Sequence, residues 1–246
     1  MDRLIYTAMT GAKHIMEQQS TTANNLANAT TSGFRAQLDT FRAVPVQGPG
    51  LATRAFVVDS TAGADYSQGA LQETGRALDV AIQGKGWLAV EMPDGSEAYT
   101  RHGSLRLNEN GILQTQSGNN VVGDSGPITI PPDVNITIAK DGTVSSVDAG
   151  SKPGQSTVIG RIKLVNPPEE TLVRGDDTLF RIKGKGTAEA DANVSLVGGA
   201  LEGSNVNVVD AMVNMISLSR QFEMHMSLLK NAEANATKAA QLLAVN

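Results

Sequence analysis

Two segments at opposite ends of the chain repeat apolar residues at alternating spacings of four and three, a pattern that only a helix turns into a single face. Near the N-terminus the row is Ile5, Met9, Ala12, Met16, Gln19, Ala23 and Leu26. Near the C-terminus it is Val208, Met212, Met215, Ser219, Phe222, Met226, Leu229, Glu233, Ala236, Ala240 and Leu243. Helices over 2–30 and 207–244 would be roughly 43 Å and 55 Å long at 1.5 Å per residue. A second apolar row, Val209, Val213 and Ile216, lies about 100° around the second helix. The sustained register predicts that the two helices pair as a coiled coil, with the first turns of the C-terminal one burying more than one face. The alternative is two ordinary helices flanking whatever lies between them. Asn207, with Asp210 three residues on, is placed to cap the second helix.

The second half of the first helix is unusual. Gln18 to Phe34 carries no charge, and its polar residues are Gln, Ser, Thr and Asn. A solvated helix ordinarily uses charges for solubility, so this surface suits hydrogen bonding against another chain. Thr30-Thr31-Ser32-Gly33 should end the helix, with Gly33 as the residue just past it.

The middle has a different period. Pro45-Val46-Gln47-Gly48-Pro49-Gly50 reads as a linker, and Phe56-Val57-Val58 is the strand candidate in an otherwise extended or irregular stretch. Beyond residue 76 short alternating runs follow one another. Leu78–Ile82 comes first, then Trp87–Met92 turns through Pro93-Asp94-Gly95 into Ala98–Thr100. Leu105–Leu107 turns through Asn108–Gly111, and Ile128–Ile130, Ile136–Ile138, Ile162–Leu164 and Leu179–Ile182 complete the set. The expected fold is α+β: long N- and C-terminal helices paired as a coiled coil, with a central all-β domain of short strands. Its parts are an N-terminal helix at 1–33, an extended connector at 34–75, a β-rich domain at 76–203 and a C-terminal helix at 204–246.

Composition removes several functions. The net charge is −5, no cluster of basic residues occurs, and aromatics make up 4% of the chain, which argues against nucleic-acid binding. No apolar run approaches the ~20 residues that span a bilayer, so no membrane insertion is expected. Met1-Asp2-Arg3-Leu4-Ile5 does not open a cleavable signal peptide. The absence of cysteine removes thiol nucleophiles and thiolate metal sites. His14, His102 and His225 are far apart, and none has a metal-ligand partner at helical spacing. Gly84-Lys85-Gly86 and Gly184-Lys185-Gly186 lack the rest of a phosphate loop and read as tight turns. Asp79 and Glu91 stand as isolated carboxylates on strands. No acid, base and nucleophile can be assembled, so neither a cofactor nor a catalytic activity is expected. A cell-wall-acting enzyme would need a carboxylate pair beside a groove.

Four segments carry a resemblance. Ala23-Asn24-Asn25-Leu26-Ala27-Asn28-Ala29-Thr30-Thr31-Ser32-Gly33-Phe34-Arg35 closely resembles the N-terminal signature of bacterial flagellar rod and hook proteins. Leu78 to Trp87, which includes Asp79, Gly84 and Gly86, is similar to the family's strand-and-turn segment, with Trp87 where Phe or Tyr is usual. Tyr99-Thr100-Arg101-His102-Gly103 resembles the family's next hairpin, and Leu201 to Val206 the approach to the C-terminal helix. The opening residues are most similar to proximal-rod members, with distal-rod or hook subunits as the alternative. The resemblance implies a subunit of the rod, the drive shaft that crosses the periplasm, exported by the flagellar type III apparatus without a cleavable signal. Its partners would be further copies of itself and other proximal- and distal-rod proteins. The terminal helices would form the assembly core, through Ile5, Met9, Met16, Asn24, Asn25, Leu26, Asn28, Gly33 and Phe34 on one and Val208, Met212, Met215, Phe222, Met226 and Leu229 on the other. The β domain, marked by Asp79, Gly84, Gly86, Trp87, Tyr99, Arg101 and Gly103, would lie outside them.

Overall fold

The computed structural model describes residues 2–45, 55–132, 134–148, 156–184 and 186–244. The Gly/Pro-rich stretch at 46–50, expected to be a linker, lies outside them. The chain divides into two units, one of Met1–Ala29, Ala36–Asp65 and Val206–Asn246, the other of Thr30–Arg35 and Tyr66–Asn205.

The first unit contains helix α1 (Asp2–Ala27), strands β1 (Gln37–Pro45) and β2 (Ala55–Ala64), and helix α2 (Val208–Ala244). The start of α2 follows from its cap. The Asn207 Oδ1 accepts hydrogen bonds from the backbone N–H of Val209 at 3.0 Å and of Asp210 at 3.3 Å, satisfying two donors that the helix itself cannot. The end of α1 comes earlier than expected, at Ala27, and turns occupy 28–33, ending at Gly33. Strands β1 and β2 form an antiparallel hairpin with a register shift between Thr40 and Phe41. An isolated two-stranded hairpin is marginal in water, and α1 braces this one. His14 Nε2 lies 2.7 Å from the Val57 carbonyl oxygen, and its ring stands edge-on to Phe41 at 5.5 Å. Asn25 donates from Nδ2 to the Gln37 carbonyl at 2.9 Å and accepts the Gln37 N–H at 2.8 Å, bonding the strand as another strand would.

The α+β class is as expected, but the coiled-coil pairing of the two helices is not what the chain shows. A coiled coil would cover its heptad seam. Here Met9, Met16 and Met212 of the expected seam are 54%, 57% and 50% exposed, and Val208 and Met226 are also open to solvent. The fully buried helix positions are Ala12 of that seam, with Ile15 and Ala211 beside it. Where the helices meet at Gly11, the absent side chain admits the His225 ring, and a Cβ there would sit 2.7 Å from His225 Cε1. Helix α1 spends another flank on the hairpin. The second row of α2, Val209, Val213 and Ile216, is exposed rather than buried. Periodicity reports which rows of a helix are apolar, and the chain covers only part of the expected row: Ile5, Ala12, Leu26, Met215, Phe222 and Leu229 are at least half-buried, while Met9, Met16, Met212 and Met226 stay exposed.

The second unit is built from short antiparallel strands. They include β3 (Leu71–Glu73), β4 (Val80–Gln83), β5 (Trp87–Glu91) and β6 (Glu97–Thr100). The β5–β6 hairpin is in register from Leu88 opposite Thr100 to Glu91 opposite Glu97. Its turn closes through the Gly95 N–H on the Met92 carbonyl, and Gly95 takes φ +78°, which glycine adopts without strain. The main sheet runs, in spatial order, Leu172–Arg174, Phe180–Ile182, β6, β5, Asn120–Gly123, Leu113–Thr115 and Leu105–Leu107. Val134–Ile138, Thr143–Asp148 and Thr157–Arg161 form a three-stranded sheet. Ser195–Gly198 pairs with β4, and Ala200–Glu202 pairs with β3. Val80, Ile82, Leu88, Leu105, Leu113, Val121, Ile162 and Leu196 are buried in one core cluster. Each fully buried aliphatic side chain of this kind contributes about 1.5–3 kcal/mol.

Candidate functional site

Residues from three distant parts of the chain meet at one buried carboxylate. Glu202, at the end of the strand Ala200–Glu202, is 0% exposed, and Arg35, just past Gly33, is 2% exposed. Arg101, which follows β6, is also buried. Glu202 Oε2 accepts a hydrogen bond from Arg101 Nη1 at 2.9 Å, and Oε1 accepts one from the Gly69 N–H at 3.0 Å. Arg35 Nη2 approaches Oε1 to 2.7 Å but is poorly aligned for a hydrogen bond. Arg101 also donates to the carbonyls of Gly84 and Ile82, and its guanidinium carbon lies 5.6 Å from the centre of the Trp87 ring. A cation over the face of an indole is attracted to the ring quadrupole. Burial lowers the Arg101 pKa from its ordinary value, and the neighbouring Arg35 charge adds to that effect against the opposing pull of Glu202.

The segment 30–35 is fitted closely around this group. Gly33 has φ +70°, and a Cβ there would lie 2.3–2.4 Å from backbone atoms of Arg101 and His102. Its N–H donates to the Glu202 carbonyl at 2.7 Å. Phe34 is buried under the Arg174 guanidinium, 4.5 Å from its ring centre, and Arg174 Nη1 donates to the Arg35 carbonyl at 3.2 Å.

The other motif residues of the β-rich unit support the same region. Trp87 packs against Phe180 at 4.5 Å between ring centres, with Tyr66 edge-on at 6.1 Å. The Tyr99 hydroxyl accepts the Ala188 N–H at 2.7 Å, and burial pushes its pKa up to about 12. Gly86 lies under Val194, and Gly103 under the Val80 carbonyl. Gly84 has φ +79° with open space where a side chain would go. Asp79 is not the isolated carboxylate that the sequence suggested. It is buried, accepts from Thr74 Oγ1 at 2.8 Å and Arg76 Nε at 3.0 Å, and pairs with Arg76 Nη2 at 2.8 Å.

On the helices the expected assembly residues divide. Ile5, Asn25, Leu26, Asn28, Met215, Phe222 and Leu229 are half-buried, whereas Met9, Met16, Asn24, Val208, Met212 and Met226 are exposed. The sequence did not point to Arg35 and Glu202 as partners, because a lone arginine and a lone glutamate carry no periodic signal.

His102 gives the β-rich unit a pH dependence. Burial depresses its pKa below the usual 6.5, against a smaller opposing effect of the Asp79 charge. The unfolded chain therefore takes up a proton near pH 6.5 that the folded chain refuses. Stability from this group is fully present above pH 6.5 and is lost as the pH falls below it. Urea melts should show a lower midpoint at pH 5 than at pH 7, and His102→Gln should reduce that difference.

A cleft of about 690 Å³ is lined by Glu91, Asp94, Glu97 and Arg181 among others. Its charged groups already have partners: Glu97 pairs with Lys163 at 2.7 Å, Arg181 with Asp177 at 2.6 Å, and Asp94 accepts from Ser96. Among the described residues no group of three or more His, Asp or Glu is arranged to hold a metal ion.

Comparison with known proteins accounts for the three converging segments. Residues 5–35 match the family model of the flagella basal body rod protein, residues 81–146 that of the flagellar hook protein FlgE/F/G D1 domain, and residues 197–242 that of the flagellar basal body rod FlgEFG protein C-terminal region. The flagellar basal-body rod protein FlgF of Salmonella typhimurium is 47% identical over 100% of both chains, as is that of Escherichia coli K12. The chain belongs to the FlgF family of flagellar basal-body rod proteins. FlgF of Caulobacter vibrioides is 32% identical over 99% of this chain and 98% of its own. As a FlgF-family protein the chain is a structural subunit of the basal-body rod and works with other rod and hook components. Each of the three matched segments contributes one member of the buried cluster: Arg35 the first, Arg101 the second and Glu202 the third.

Proposed function

We propose that this rod subunit assembles through the apolar rows that its helices leave uncovered. They would pack against further copies and other rod proteins in the proximal segment of the drive shaft. That shaft crosses the periplasm and carries motor torque for motility. The observation behind this reading is the row Val209, Val213 and Ile216 on α2, which is 68%, 60% and 57% exposed. Met212 extends the row, and Tyr6, Met9 and Met16 form a second one on α1. Contiguous exposed apolar surface of this kind marks a contact with another protein. Covering each such side chain contributes about 1.5–3 kcal/mol, so a long helix supplies many small contacts along one seam. Torsion on a shaft is resisted by contacts distributed in this way. The uncharged polar surface at 18–34 would hydrogen-bond to neighbours on docking. Resemblance to the family supports export through the flagellar type III apparatus without a cleavable leader.

Deleting residues 226–246 tests the assignment. The β-rich unit should keep its unfolding transition, followed by the fluorescence of Trp87, the single tryptophan. Rod assembly and motility should be lost. A motile strain carrying the truncated chain would refute the assembly role of α2.

A further inference from the structure

We propose that residues 30–35 form a releasable strap on the β-rich unit, held shut by Glu202 and able to open while that unit stays folded. The strap is not a strand of any sheet. Hydrogen bonds to its backbone include those from the Gly33 N–H to the Glu202 carbonyl, from the Asn205 N–H to the Phe34 carbonyl and from the Arg174 side chain (Nη1) to the Arg35 carbonyl. Its closure also depends on charge. Two guanidinium groups, Arg35 and Arg101, share one buried carboxylate, which leaves the cluster with an excess positive charge. Arg35 Nε and Nη1, and Arg101 Nε, are buried without an acceptor among the described residues. Two like charges held around one buried carboxylate raise the energy of the closed state. Arg101 is held independently of the strap, by the Ile82 and Gly84 carbonyls and the Trp87 ring. Arg35 lacks such support and is therefore the group that leaves. Segments outside helices and sheets open locally at less cost than global unfolding. Opening frees residues 30–35, whose contour is roughly 20 Å at full extension. Such an opening would expose Phe34 and Arg35, both buried in the closed state, without melting the β-rich unit.

Limited proteolysis of the full-length chain tests the strap directly, because cleavage in this regime follows the population of the open form. Trypsin cuts after arginine, and both Arg35 and Arg101 are buried in the closed state. Glu202→Gln removes the carboxylate that both guanidinium groups share. Cleavage after Arg35 should rise at least tenfold while the site after Arg101 stays protected. Gly33→Ala places a Cβ against the Arg101 backbone and should give the same selective pattern without a change in charge. Chymotrypsin cleavage after Phe34 should be slower in the double variant Arg35→Met/Glu202→Gln than in Glu202→Gln alone, since the uncompensated charge is gone. Equal acceleration at Arg35 and Arg101 would show that Glu202 supports the whole unit rather than the strap. No acceleration at Arg35, or faster cleavage after Phe34 in the double variant, would likewise overturn the proposal.

Discussion

Gly103→Ala should unfold the β-rich unit or reduce its stability by about 4 kcal/mol or more, the range in which a single substitution signals a specific structural failure. A Cβ at this position would lie 1.7 Å from the carbonyl oxygen of Val80 and 2.7 Å from its carbonyl carbon. Both are backbone atoms, so no rotamer change relieves the clash. Val80 itself is fully buried, and its N–H donates to the Gly103 carbonyl at 2.9 Å. Moving β4 away would break that bond and disturb its pairing with Ser195–Gly198, where Val80 faces Gly198. Gly95→Ala serves as the control. Gly95 has φ +78° in a turn with nothing within 4 Å of a built Cβ, so the cost is that of a left-handed alanine, roughly 1 kcal/mol. Urea melts followed by Trp87 fluorescence separate the two. A Gly103→Ala melt close to that of Gly95→Ala would contradict the packing described for β4.

Val213→Asp with Ile216→Asp should have the opposite profile, with almost no effect on the subunit and a complete effect on the rod. Both side chains are more than half exposed, so in the free chain a carboxylate at either position remains hydrated. Surface substitutions of this kind change stability by about 0.5 kcal/mol or less. Against a neighbouring subunit each would become a buried, unpaired charge. An uncompensated charge of that kind costs on the order of several kcal/mol, enough to cancel the gain from several aliphatic contacts along the seam. The expected result is a normal melt, a normal helical circular dichroism signal and a non-motile cell without rods. A motile cell would mean that this row faces solvent in the rod as well.

The sequence revealed the architecture more readily than the connections within it. The Trp87–Glu91 and Glu97–Thr100 hairpin was legible because alternating apolar residues flank Pro93-Asp94-Gly95, a turn signal of local origin. The helix start at Asn207 was legible for the same reason, since capping is decided within three residues. The β1–β2 hairpin was less visible. Half-buried and exposed positions roughly alternate along Gln37–Pro45, and only Leu38, Phe41, Ala43 and Val44 are apolar there. The expected helical seam failed for a different reason. Close approach at Gly11 and the hairpin beside His14 set what α1 covers, and neither shows in the period of the apolar residues. The Arg35–Glu202–Arg101 cluster left no pattern at all. Arg101 and Glu202 are separated by 101 positions, and single charges in a sequence ordinarily read as surface. The resemblance marked the segments that carry them, but the reason those segments belong together lay in the fold.

Coverage of the exposed α2 row in the rod can be measured directly. The chain contains no cysteine, so Val213→Cys introduces a unique thiol at the centre of that row. Its alkylation by a membrane-impermeant maleimide can be compared between the purified subunit and isolated basal bodies. Labelling should be rapid in the free subunit and strongly suppressed in the basal body, while a cysteine at exposed Lys140 of the β-rich unit labels freely in the subunit and serves as the reference for reagent activity. Equal labelling of Val213→Cys in both states would show that the row stays open to solvent in the rod.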